Sequence, residues 1–189
     1  MGRWAPDARG RLEQAALELF SDVGYEQTTV KQIAQQAGLT ERTFFRHFTD
    51  KREVLFPQSQ PLEAALVAAL REVPAGQGPM EAVAAALHSL PALMSDRHEL
   101  ARRRQAVIDA HADLRERELI KLASVSDGLT RALRERGVPD LEAALAAEVG
   151  TAVLKICFVR WIGDDSSDAD FGQFMNESLQ ALTGIVNRP

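Results

Sequence analysis

The chain has one cysteine in 189 residues, Cys157, which excludes an internal disulfide and a zinc site built from several thiolates. That fits a reducing compartment. Aromatic residues make up only 6% of the chain, and no segment sustains an alternation of β-branched and polar residues, so strand signals are nearly missing. No apolar run approaches the roughly 18 residues of a membrane span, and the opening MGRWAPDARGR lacks the apolar core of a signal peptide. The expectation is a cytoplasmic protein with no membrane partner. A glycine-rich phosphate loop, a nucleophile elbow, a His-Glu-x-x-His helix and a framed carboxylate pair are also absent, which makes a helical enzyme a remote alternative. Neither a metal site nor a cofactor is expected. What is present is a balance of 46% hydrophobic and 26% charged residues, ordinary for a globular chain and too apolar for a disordered one. Alanine and leucine dominate, and the fold class expected is all-α.

The net charge of −5 is unevenly placed. Residues 1 to 55 hold eight basic side chains (Arg3, Arg9, Arg11, Lys31, Arg42, Arg46, Lys51, Arg52) and eight acidic ones, while the remainder holds fourteen basic and nineteen acidic and so carries the whole excess. Phosphate attraction follows the local field rather than the total charge, so the N-terminal third is the place to look for nucleic-acid contacts.

Leu12, Ala15, Ala16, Leu19, Phe20 and Val23 recur at helical spacing and Gly24 follows them, which predicts a helix over about 8 to 23. Thr29 with Gln32 matches a capping box ahead of Val30, Ile33, Ala34 and Ala37. Gly38-Leu39 makes a corner, Thr40 caps, and Glu41 to His47 form a third helix with Phe44 and Phe48 a turn apart. Two short helices joined by a glycine-bearing turn of three or four residues read as a helix-turn-helix. Asp50 and Glu53 predict a fourth helix from Lys51, broken or kinked near Pro57 and Pro61 and resuming to about Arg71. Further helices are expected at about 79 to 94 with a disturbance at Pro91, 96 to 110, 113 to 136, 140 to 163 and 168 to 187. The total is about nine.

From Arg11 to Leu55 the pattern runs Ala15-Ala16-x-x-Leu19-Phe20, Gly24-Tyr25, Thr28-Thr29-Val30-x-x-Ile33-Ala34-x-x-Ala37-Gly38-Leu39-Thr40, Thr43-Phe44-Phe45-x-His47-Phe48 and Lys51-x-x-Val54-Leu55. It resembles the DNA-binding domain of the TetR family of bacterial regulators, without a gap. The resemblance implies an N-terminal three-helix helix-turn-helix head over 1–50 and a helical-bundle body over 51–189 that binds a ligand and dimerises. It also implies a homodimer joined by the last two helices, double-stranded DNA as partner and a small-molecule effector.

Thr28, Thr29 and Thr40 stand at helix N-termini, where a hydroxyl caps and the exposed N–H groups attract phosphate. Arg42 and Thr43, on the first turn of the third helix, are placed to reach base edges: arginine toward guanine O6 and N7, the threonine methyl toward thymine. His47 and Lys51 match the family's phosphate-binding positions, with Arg46 beside them. Phe45 stands where the family pattern has tyrosine, so it lacks the hydroxyl that donates to phosphate and is left with packing contacts. Arg9 and Arg11 read either as an N-terminal arm toward DNA or as a frayed, solvated start.

In the body, Val149, Val153, Ile156 and Arg160 step along one helix and Phe171, Phe174, Met175 and Leu182 along the next, the pair of faces that the resemblance assigns to the dimer interface. His88, Met94, His98, Arg102, Arg103, Arg104, His111 and Trp161 are candidates for orienting a polar group of an effector whose identity is unknown. The stretch Glu99 to Gly137 is similar to the regulatory half of the mycofactocin-system type of TetR regulator, for which acyl thioesters are effectors. An apolar molecule with an anionic or thioester end, held between the fourth and eighth helices, is therefore expected to release a repressor from an inverted-repeat operator. An effector-free activator or architectural DNA binder is the other reading of the same fold.

Overall fold

The computed structural model describes residues 7–57, 59–94, 97–166 and 169–187. Among them there are ten α-helices, one 3-10 turn and no strand. The helices are α1 (Ala8–Asp22), α2 (Val30–Gln36), α3 (Glu41–His47), α4 (Ser59–Glu72), α5 (Pro79–Leu87), α6 (Pro91–Met94), α7 (His98–Ala110), α8 (Ala112–Glu135), α9 (Asp140–Ile162) and α10 (Phe171–Val186). The 3-10 turn is Glu53–Leu55. No helix among the described residues is long and apolar enough to cross a membrane.

Packing divides the chain into two compact units, Met1–Gln58 with Arg103–Glu118, and Ser59–Arg102 with Leu119–Pro189. The first unit therefore recruits the end of α7 and the beginning of α8, about 50 residues beyond the helix-turn-helix. Its core joins Leu12, Ala16 and Phe20 of α1, Ile33 of α2, Phe44 of α3 and Phe48 to Val54, Leu55 and Phe56, and is completed by Ile108 and Leu114. Periodicity assigns each of these helices an apolar face; it carries no information on which distant segment covers it.

Local chemistry explains the boundaries. The Asp7 carboxylate accepts from the Gly10 N–H at 2.7 Å and starts α1, and Gly24, at a φ of 96°, ends it. After Phe48 the expected fourth helix does not form at Lys51. The Asp50 carboxylate accepts from the N–H groups of Arg52 (2.8 Å) and Glu53 (3.2 Å), but only a 3-10 turn follows before Pro57 halts it. Pro61 causes no kink, because it lies in the first turn of α4, where its missing N–H has no partner to lose. The helix expected over 79–94 ends at Leu87, and Pro91 opens the short α6 instead. That split accounts for ten helices among the described residues rather than about nine.

The second unit is built on α9, which packs against α5 and α10. Gly150 makes the α5 contact possible, since a Cβ there would collide with Cγ1 of Val83. Trp161 fills the lower core, its indole N–H donating to Ala169 O at 2.9 Å and its ring edge-on to Phe171. The imidazole of His98 donates through Nε2 to Trp161 O at 2.8 Å. Cys157 is buried beside it, and burial pushes its thiol up to about 12, so it is an inert packing residue.

Candidate nucleic-acid interface

The exposed edge of the first unit is organised by α2 and α3. Thr29 caps α2 reciprocally: its hydroxyl accepts from the Gln32 N–H at 3.2 Å, and the Gln32 side chain accepts from the Thr29 N–H at 2.8 Å. Gly38 turns the chain at a φ of 64°, a left-handed conformation that side chains rarely adopt, and the Leu39 N–H closes back on Ala34 O at 2.8 Å. Thr40 then caps α3 by accepting from the Thr43 N–H at 3.2 Å, with the two hydroxyls 3.0 Å apart.

Helical geometry sorts the residues of α3. Phe44 is fully buried against Phe48, with ring centroids 5.4 Å apart, which fixes the helix rotation. Arg42, Phe45 and Arg46 consequently face solvent, and Thr43 and His47 are half-buried at its edges. Phe45 is 55% exposed, an unusual position for a phenyl ring, and makes an edge contact to Phe44 at 5.5 Å. Arg42 pairs with no carboxylate among the described residues. Arg46 and His47 stand at the C-terminal turn of α3, their nitrogens 3.5 Å apart.

Two residues expected at the phosphates are occupied inside the unit. Thr28 is 2% exposed and its hydroxyl donates to Gly24 O at 2.8 Å, so it closes the turn after α1 and the cap of α2 falls to Thr29 alone. The Lys51 ammonium donates to Tyr25 O (2.8 Å), Thr28 O (3.2 Å) and Glu26 O (3.3 Å) and sits 4.3 Å from the centre of the Tyr25 ring. All three of its protons are engaged in fastening the turn ahead of α2. Arg9 and Arg11 are also tied down: Arg9 pairs with Glu13 at 3.0 Å and donates to Pro57 O at 2.7 Å, and Arg11 donates to Ala37 O beneath the Gly38 corner. Neither forms a free arm. Arg117 of α8 grips Glu53 with its Nε at 2.7 Å, a tie over 64 residues for which the sequence holds no local signal.

In the second unit, Val153, Phe171 and Met175 lie in the core of their own chain, which leaves them no surface for a partner. Val149, Phe174 and Leu182 are half-buried, and Arg160 is exposed, its guanidinium 2.6 Å from the Glu177 carboxylate and 5.3 Å from the centre of the Phe174 ring. Ile156 is 56% exposed, on the same face of α9 as Leu145 and Val159. Between α4 and α8 runs a groove of about 380 Å³ lined by Glu63, Val67, Arg71, Gly128, Arg131 and Glu135. Two ion pairs, Arg71–Glu135 at 2.9 Å and Arg131–Glu63 at 3.4 Å, place charged side chains on its walls beside Val67. Of the body residues singled out for an effector, Arg104 and His111 belong to the first unit, while in the second Arg102 pairs with Asp165 and His98 is brought against Trp161.

Comparison with known proteins bears on the first unit most directly. Residues 13–56 match the family model described as bacterial regulatory proteins, tetR family. The HTH-type transcriptional regulator TcmR of Streptomyces glaucescens is 44% identical over 82 residues, covering 43% of this chain and 36% of that protein. The matched stretch thus spans about a third of the relative's length. The fatty acid degradation regulator FadR from Bacillus halodurans has the same fold, with a TM-score of 0.63 at 21% identity over 100% of both chains. The FadR of Bacillus subtilis, solved in complex with stearoyl-CoA, gives a TM-score of 0.62 at 22% identity over 92% of this chain and 96% of that one.

Proposed function

We infer, from the match of segment 13–56 to the tetR family of bacterial regulatory proteins, that the chain is a DNA-binding transcriptional regulator of that family acting on an inverted-repeat operator as a homodimer. One observation carries this reading. Burial of Phe44 turns α3 so that Arg42, Phe45 and Arg46 project outward together, with the capped N-termini of α2 and α3 on the same unit. Arg42 and Thr43, on the leading turn of α3, are the base readers; Thr29, Thr40, Arg46 and His47 contact phosphate; Phe45 packs against the sugar-phosphate backbone. Thr28 and Lys51 support the interface from behind by holding the turn between α1 and α2.

Arg42→Ala is expected to relax the preference at one base pair in each half-site by about 1 to 3 kcal/mol, while Arg46→Ala weakens all sequences alike. Selection of bound sequences from a randomised pool, followed by anisotropy titration of the winners, reads both effects. An unchanged preferred sequence in Arg42→Ala would remove Arg42 from the base readers.

The regulator is a repressor released by a small molecule. A relative fold that holds stearoyl-CoA supports trying acyl thioesters first. Long-chain acyl thioesters, fatty acids and planar cations are to be added to the DNA complex at a fixed salt concentration, with loss of anisotropy expected for the thioesters. A ligand can release DNA only by its difference in affinity between the DNA-competent dimer and the alternative. Release by the cations alone would overturn the acyl-ligand assignment.

A further inference from the structure

His111 is the single residue between α7 and α8, and Asp113 lies on the first turn of α8. Both pack in the first unit beside the turn that precedes α2, where Glu26 follows Tyr25. Nδ1 of His111 is 3.9 Å from Oε1 of Glu26, and one ligand atom from each of Glu26, His111 and Asp113 lies within 4.8 Å of the others. The imidazole is steadied by its contact with the Tyr25 ring, at 4.8 Å between centroids.

The cations nearby are committed elsewhere: Lys51 to the backbone oxygens of Tyr25, Glu26 and Thr28, and Arg52 to Asp50 at 3.0 Å. Among the described residues neither the Glu26 nor the Asp113 carboxylate forms an ion pair or hydrogen bond with a lysine or arginine side chain. An imidazole and two carboxylates that no lysine or arginine side chain pairs with directly, drawn from positions about 85 residues apart, thus come together at one corner.

We propose that Glu26, His111 and Asp113 form a site for a first-row divalent metal ion of the zinc, cobalt or nickel kind, with water completing its coordination. Imidazole selects such ions over magnesium or calcium, and two carboxylates supply the charge that one metal dication needs. Bond lengths near 2.0 to 2.2 Å place neighbouring donors about 3.0 to 3.6 Å apart, so the three groups close by roughly 1 Å on binding. Both carboxylates are exposed and turn without disturbing the core. A bound ion staples the α7–α8 corner to the turn that sets the start of α2. The site owes nothing to the DNA-reading residues, so its test stands apart from the regulator reading.

The full-length protein, dialysed against chelator and then against metal-free buffer, is titrated with Zn²⁺ by calorimetry and with Co²⁺ by visible absorption. One ion per chain is expected, with a rise in thermal midpoint. Asp113→Asn and Glu26→Gln, which alter only exposed carboxylates, should each weaken binding by at least about tenfold, the loss that even outer-shell partners of metal ligands cause. His111→Gln should abolish the cobalt ligand-field bands of a nitrogen donor. Absence of binding in the unaltered chain overturns the proposal. So does equal binding in the unaltered chain and Asp113→Asn, which would place the ion on other histidines.

Discussion

Replacing Lys51 by alanine is expected to weaken binding to every DNA sequence by a similar factor while leaving the salt dependence of binding unchanged. The ammonium donates to three backbone oxygens of residues 25, 26 and 28 and lies over the Tyr25 ring, so its removal frees the turn that sets α2 rather than a contact to phosphate. Hydrogen bonds to a charged group contribute about 1.5 to 3 kcal/mol net, and the carbonyls left behind are only partly rehydrated. About 2 kcal/mol of stability in the first unit should therefore be lost, roughly a thirtyfold change in its folded-to-unfolded ratio. Denaturant unfolding measures the stability, and anisotropy titrations at several salt concentrations measure the slope of log K against log salt. A phosphate contact predicts a slope lower by about 0.9 per half-site contact and little change in stability. That outcome would return Lys51 to the DNA surface.

Lys51 also illustrates where a linear sequence stops being informative. The caps at Thr29 and Thr40, the left-handed Gly38 and the buried Phe44 were legible because each is a local rule: a hydroxyl three residues before an N–H, a glycine after a helix, an aromatic at the period of its own helix. Whether a cation points outward or inward is not local. The oxygens that capture Lys51 and Arg11 lie 23 to 26 residues away, and those that hold Arg136 (Leu70, Val73 and Pro74) lie more than 60 away. The same reason hid the Glu26, His111 and Asp113 cluster, whose spacing matches no metal motif, and the Arg117 grip on Glu53. Proline rules located breaks but not their form. Pro57 limits to a 3-10 turn the helix that Asp50 and Glu53 predict, while Pro61 is absorbed into a first turn.

The largest change in behaviour is expected from the exposed faces of α9 and α10. On α9, Leu145, Ala152, Ile156 and Val159 fall on one solvent-facing stripe, and on α10 so do Ala181 and Ile185, with the half-buried Phe174 in line with them and Val186 beside the last. Residues 145 and 156 are three turns apart, which places their side chains almost directly in line. Val153 lies off this line and inside the chain's own core at 5% exposure. Apolar spacing alone cannot separate the two, because a stripe wide enough to pack on α5 and α10 merges with one that meets a second chain. Leu145→Asp with Ile156→Asp is therefore expected to give a folded monomer: the carboxylates are hydrated when the chain is alone and unpaired in an apolar contact when it is not. Helical content and thermal midpoint should change little, while the sedimentation coefficient falls to that of one chain and operator binding is lost, since a two-fold site needs two linked heads. Val153→Asp buries its charge in either state and should unfold the second unit. A double variant that sediments as a dimer would show that Leu145 and Ile156 lie outside the contact, and monomers in the unaltered chain would refute the homodimer itself.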